Sequence, residues 1–148
     1  MSEQVILDIE VPGRPVPQGS VKAYQSRVIQ SPRVLQHRQL LQYAIAQEWG
    51  SRDLHPGPVR LECIFRFLRP RNHYGTGRNA DVLKPGAPEH MDSMPDLDKT
   101  LRAVFDALTG VVLIDDRQVS QTKALKRWAD RDATLVRIIA LGEEGGRA

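Results

Sequence analysis

The chain is poor in cysteine, aromatic residues and long apolar runs, and each shortage excludes something. A single cysteine, Cys63, in 148 residues rules out an intramolecular disulfide and fits a reducing compartment. It also removes any cysteine-based zinc spacing, and the four histidines, His37, His55, His73 and His90, show no ligand spacing of their own. No apolar stretch approaches the roughly 20 residues needed to cross a bilayer. Met1-Ser2-Glu3-Gln4 has neither the cationic start nor the apolar core of a secretory signal. The expectation is a cytoplasmic protein with no membrane partner. There is no glycine-rich phosphate cradle of the P-loop type and no serine in a triad pattern. Aromatics at 5% and hydrophobic residues at 41% promise one lean domain, of the kind that gains stability by pairing with a copy of itself.

Acid is absent from two long stretches. Residues 13–38 carry Arg14, Lys22, Arg27, Arg33 and Arg38 without one carboxylate, and residues 117–127 carry Arg117, Lys123, Lys126 and Arg127, again without one. The net charge is only +3, so segregation says more than the total: basic arms surround an acidic centre over 92–116.

Val5, Leu7, Ile9 and Val11 alternate with polar or outward positions and predict a strand. The Pro- and Gly-rich segment from Pro12 opens a basic loop that runs through Arg27. Ser31-Pro32 predicts an N-cap and first helical residue, with Leu41, Ala44, Ile45 and Trp49 on one helix face and a stop near Gly50. Val59 to Leu68 alternates as a second strand. The stretch from Arg69 to about Pro95 has no periodicity and reads as a long flexible loop, either functional or disordered. Leu97, Leu101, Val104, Phe105 and Leu108 form a helical stripe closed by Gly110. Two strands follow, about 118–128 and 132–141, and 143–148 is a frayed tail. The order β-α-β-α-β-β predicts a single α+β domain over 1–142 with a mixed sheet.

The chemistry concentrates at the second helix. Asp96 and Asp98 stand at its start, and Asp115-Asp116 follow its return segment, Val111 to Ile114. Alone, Asp96 is accounted for by capping, Asp98 by the helix dipole and Asp115-Asp116 by a turn. Together, a short return running back along the helix would bring Asp116 to Asp96 and Asp98. Converging carboxylates repel unless a hard divalent cation joins them. Arg102 shares a face with Asp98 and Asp106, either as a surface pair, with Asp106 as its structural partner, or as a guanidinium aimed at phosphate. Acids that bind metal inside a basic chain point to metal-dependent chemistry on nucleic acid. Lys22, Tyr24 and Arg27 combine cations with an aromatic ring, as in phosphate-gripping surfaces. Lys123 and Arg127 share one face of their strand and Lys126 the other. The loop cations Arg69, Arg71, Arg78 and Lys84 suit backbone phosphates. His73 and His90, in a loop beside an acidic site, invite a catalytic reading but read first as residues of a mobile, solvated loop, and His37 and His55 carry no specific signal.

Pro95-Asp96-Leu97-Asp98-Lys99, Asp106-Ala107-Leu108-Thr109-Gly110 and Ile114-Asp115-Asp116-Arg117-Gln118-Val119 resemble the RusA-type Holliday junction resolvases, many of them prophage-encoded. The resemblance is tight over about 95–120 and looser elsewhere. It implies a homodimeric, Mg²⁺-dependent endonuclease, with Mn²⁺ as a substitute, that resolves four-way DNA junctions by symmetric nicks in recombination and repair. Position by position, the family's essential carboxylates fall on Asp96, Asp98 and Asp116, as metal ligands and catalytic residues. Its functional lysine falls on Arg102, a departure that keeps charge but removes a proton shuttle; Lys99, one turn earlier, is the available substitute. The DNA-binding set is then Lys22, Arg27, Lys99, Arg102, Lys123 and Arg127. Two alternatives stay open: a nuclease for flaps or other branched DNA, and a non-catalytic junction-binding protein on the same fold.

Overall fold

The computed structural model describes residues 3–18 and 32–142 in full and the backbone alone of 22–24 and 27–29. Ser31, the expected N-cap, and the tail 143–148 lie outside the described residues. The elements in chain order are β1 (Glu3–Pro12), β2 (Lys22–Tyr24), β3 (Arg27–Ile29), α1 (Pro32–Trp49), β4 (Val59–Leu68), α2 (Leu97–Leu108), β5 (Val119–Ala129) and β6 (Ala133–Leu141). The α+β order predicted from periodicity is therefore present. One addition is the antiparallel pair β2–β3, where the sequence predicted only loop. Its strands are three residues each, too short for alternation to register.

β4 shows why its residues make a central strand. Val59, Leu61, Cys63, Phe65 and Phe67 are all buried, while Arg60, Glu62, Ile64 and Arg66 on the other face are half-buried. The main sheet runs β1-β6-β4-β5, with β6 antiparallel to both neighbours and β4 parallel to β5, so it is mixed. A parallel pair requires a crossover connection. Here the chain from Arg69 to Gln118, including α2, supplies it and lays α2 over the sheet. Leu41, Ile45 and Trp49 of α1 and Ala103, Val104, Ala107 and Leu108 of α2 close the core against Leu61, Phe65, Phe67, Val136 and Ile138. The helices end at glycines with positive φ, Gly50 at 68° and Gly110 at 86°, where a Cβ would be strained. In β1 the alternation slips: the register shifts between Val5 and Leu7, leaving Val5 exposed.

The segment between β4 and α2 is tied down by its own bonds. Gly75 N–H donates to Val82 O and Lys84 N–H to His73 O, both at 2.9 Å. Arg69 donates to Pro88 O at 2.8 Å, the His73 ring stands edge-on to Trp128, and Met91 is buried. His73 is thus a packing residue. The sheet face away from the helices carries ion pairs: Arg137 of β6 with Asp8 and Glu62 on its two neighbouring strands, and Arg60 of β4 with Glu62 on its own strand and with Glu3 of β1, one strand beyond β6. Among the described residues no helix is long and apolar enough to cross a membrane.

Candidate active site

Asp96 occupies the N-cap position of α2 in extended conformation, yet its side chain makes no capping hydrogen bond. Thr100 instead binds the Asp96 carbonyl twice, through its N–H at 3.1 Å and its Oγ1 at 2.8 Å. The carboxylate is left half-exposed, with Lys99 Nζ 3.6 Å away as its nearest charge partner. Capping, the simplest explanation of this residue, is not what the side chain does. Asp98 accepts from the Lys99 N–H at 2.9 Å within the first turn, where the helix dipole favours a carboxylate.

The chain leaves α2 differently from the path predicted. The segment 110–114 does not run back along the helix. The N–H groups of Val111, Val112 and Leu113 all point at the Leu108 carbonyl, and Gly110 N–H bonds Leu113 O at 2.7 Å. This tight wrap satisfies a helix-end carbonyl and buries Val112 and Leu113. It leaves the acidic pair beside the C-terminal half of α2.

Asp115 then begins a single 3₁₀ turn, Asp116–Gln118, through a reciprocal capping box. Its Oδ1 accepts from Arg117 N–H at 2.9 Å, and Gln118 Oε1 accepts from Ile114 N–H at 2.8 Å and Asp115 N–H at 3.0 Å. The backbone bond from Arg117 holds the Asp115 carboxyl below the usual carboxylate range. Asp115 is therefore committed to the turn, and Asp116 is the exposed member of the pair.

Two adjoining clefts meet along α2. A cleft of about 270 Å³ is lined by Asp98, Leu101, Arg102, Phe105, Asp106 and Asp116. A wider one of about 510 Å³ is lined by Gln18, Arg38, Asp106, Thr109, Asp115 and Asp116. Sharing Asp106 and Asp116, they form one open groove. Arg102 is exposed in it and makes no ion pair among the described residues. Asp106, expected to pair with Arg102, lies instead 3.6 Å from Arg38 of α1, which also donates to Gln18 Oε1 at 2.9 Å. Helix packing delivers that cation across the interface, which one-turn spacing along α2 cannot reveal. Gln18 N–H in turn bonds Lys99 O at 3.0 Å, docking the start of the first basic segment on α2.

Of the residues predicted for the site, the groove gathers Asp98, Arg102 and Asp116, with Asp96 and Lys99 paired at the helix start. Among the described residues no three His, Cys, Asp or Glu side chains stand close enough to hold an ion between them. The donor set itself is all carboxylate, solvent-facing and free of soft ligands, which suits a hard cation such as Mg²⁺ or Mn²⁺. Lys123 and Arg127 do not share the groove: they stand opposite Glu62 and Arg66 on the far face of the sheet. The side chains of Lys22 and Arg27 lie outside the described residues. Sequence reading missed Arg38, Gln18, Gln118 and Lys126. Only Gln118 carried a local signal, the Asp-x-x-Gln spacing of a capping box.

The family model described as endodeoxyribonuclease RusA matches residues 12–139, from the end of β1 into β6. No curated protein matches the chain.

Proposed function

The chain belongs to the RusA endodeoxyribonuclease family, and from that premise we propose that it is an Mg²⁺-dependent endonuclease that resolves four-way DNA junctions as a homodimer. The observation that carries this reading is the groove along α2, where Asp98 and Asp116 flank an exposed Arg102 that has no ion pair among the described residues. A structural arginine between two acids would pair with one of them; this one is left for an anion from outside.

Asp96, Asp98 and Asp116 would hold the cation once their side chains turn toward one another, since no three carboxylates among the described residues stand within ion-binding distance. When bound, Mg²⁺ supplies Lewis-acid polarisation of a phosphate and an activated water. Arg102 binds a phosphate oxygen and offsets the charge that accumulates as the ester is attacked. It does not deliver a proton, because a guanidinium stays protonated at any working pH. Lys99 balances the Asp96 carboxylate and keeps the helix start from becoming purely anionic. Arg38 holds Asp106 to the groove wall, so that Asp106 shapes the cleft. The basic segment that Gln18 docks on α2 leads toward Lys22 and Arg27, which grip the DNA backbone beyond the cut.

The open sheet face suits a second copy. It alternates arginines with glutamates and carries the exposed Val5 and Leu125, a pattern that a two-fold axis makes self-complementary. Two grooves related by that axis match the pseudo-symmetry of a four-way junction, in recombination or repair in the cytoplasm.

The test is incubation with a synthetic four-way junction, a flap and linear duplex, with and without Mg²⁺. Paired nicks in the junction alone, dependent on the metal, are expected. Preferential flap cutting would move the substrate to other branched DNA. Binding without cutting in either Mg²⁺ or Mn²⁺ would make the protein a non-catalytic junction binder and overturn the reading.

A further inference from the structure

Two polar side chains outside the groove make unusually complete bonds to the segments that carry its acids. Gln118 uses all four hydrogen-bonding positions of its amide. Its Oε1 accepts from Ile114 and Asp115, and its Nε2 donates to His55 O at 2.7 Å and Gly57 O at 2.9 Å. One side chain thus pins the Asp115-Asp116 turn to the loop that leads into β4. Lys126 lies in β5 opposite Phe65, on the sheet face that packs against the helices. An ammonium there is costly unless it finds acceptors. It finds two, Ser93 O at 2.6 Å and Pro95 O at 2.9 Å, and the second belongs to the residue immediately before Asp96.

These two anchors stand on one rod. Gln118 directly precedes β5 and Lys126 is near its far end, about 26 Å apart along an extended strand. α2, which also joins the two acidic segments, is about 18 Å long. Its end nearest the acidic pair continues through the wrap of 110–114, and its start is reached only through the irregular chain after β4. We propose that Gln118 and Lys126 are positioning residues that fix the Asp96/Asp98 segment and the Asp115-Asp116 turn relative to one another, with β5 as the common reference. Neither touches the reacting groups. Both act through the backbone that carries them: Lys126 sets where the helix entrance presents Asp96 and Asp98, and Gln118 sets where the turn presents Asp116. The inference rests on the carboxylate site proposed above and adds what holds its two halves in register.

The test uses Gln118→Met and Lys126→Met, which keep length and remove the bonds, and Lys126→Arg, which restores two donors. Three readouts separate positioning from plain stability. In the metal-free protein, exchange of the Ile114 and Asp115 amide protons should accelerate at least tenfold in Gln118→Met, while amides in β4 and β6 stay protected. Mn²⁺ affinity, followed by electron paramagnetic resonance, should weaken about 10–100-fold in both methionine variants, the range for outer partners of metal ligands. Junction cutting should fall by a similar factor with junction affinity within about threefold of wild type, and Lys126→Arg should recover most of both losses. Should a methionine variant fail to fold, Gln118→Glu and Lys126→Gln, whose shorter amide cannot reach both carbonyls, are read in its place. Weakened Mn²⁺ binding in Gln118→Glu, which keeps the acceptors and loses the donors, supports the proposal. Wild-type Mn²⁺ affinity and cutting in the folded methionine variants or their stand-ins, even ones with a lower Tm, would overturn it and reduce both residues to fold stabilisers. If wild-type protein neither binds Mn²⁺ nor cuts DNA, the proposed function itself falls, and this inference with it; active wild type with unaltered variants removes the inference alone.

Discussion

Replacing Arg102 with alanine isolates one cation in the groove. The guanidinium is exposed on α2 and makes no ion pair among the described residues, so its loss strands no buried partner. Arginine and alanine are both good helix formers, and a surface change of this kind shifts folding stability by less than about 0.5 kcal/mol. On DNA the balance differs. A charge-assisted hydrogen bond contributes about 1.5–3 kcal/mol, and a donor that acts on the transition state is worth roughly 10²–10³ in rate. Arg102→Ala should therefore lower single-turnover junction cutting by about 10²–10³-fold while its thermal midpoint stays put. Arg102→Lys keeps a cation in the groove and should retain or raise activity. Asp106→Asn is the control: Asp106 pairs with Arg38, not Arg102, so its loss should not reproduce the Arg102→Ala defect. Cutting rates on a labelled junction, read beside Tm, decide the matter. Full activity in Arg102→Ala would refute the role given to this residue and leave the chemistry to the carboxylates and metal.

Asp98→Asn keeps the oxygen that accepts from Lys99 N–H and should cost less than about 1 kcal/mol in the metal-free protein. Cutting should fall more than about 100-fold with junction binding retained, because even outer partners of metal ligands cost 10–100-fold; gel shifts and cleavage assays on one preparation check both. Lys22→Ala with Arg27→Ala should reduce the slope of log affinity against log salt by roughly 0.9 for each phosphate that is no longer neutralised, and an unchanged slope would place those side chains off the DNA. Burial pushes the His37 imidazole below its ordinary value, so the unfolded chain takes up a proton first as pH falls. Stability should decline as pH drops through the unfolded value, about 6.5, and go on declining until the buried ring itself titrates. Denaturant melts at pH 7.5 and 5.5 should show a smaller decline in His37→Gln than in wild type.

Much of this protein was legible along the chain because the forces concerned are local. Pro32 and Gly50 punctuate α1, alternation delimits β4 residue for residue, and the stripe from Leu97 to Leu108 marks α2, since strand and helix periods are written into neighbours a few residues apart. The acids of the groove were legible too, as an exposed motif whose spacing carries the family resemblance. What stayed hidden involves partners far apart in sequence. Asp106 had Arg102 one turn away, yet its charge partner is Arg38, 68 positions back, brought by the packing of α1 on α2. The return from α2 was predicted to run along the helix. It wraps instead, because the Leu108 carbonyl needed donors and Val112 and Leu113 needed cover.

The sequence by itself determined the elements other than the short β2–β3 pair, the acidic groove's residue types and the excess of cations for a polyanion. The tertiary structure alone decided that β5 lies parallel to β4, which faces Lys126 to the helices and Lys123 and Arg127 away from them. It also decided that Gln118 spends its amide on His55 and Gly57, more than 60 residues away. A side chain's chemistry states how many hydrogen bonds it must make once buried, and only the folded chain supplies the atoms that meet that demand.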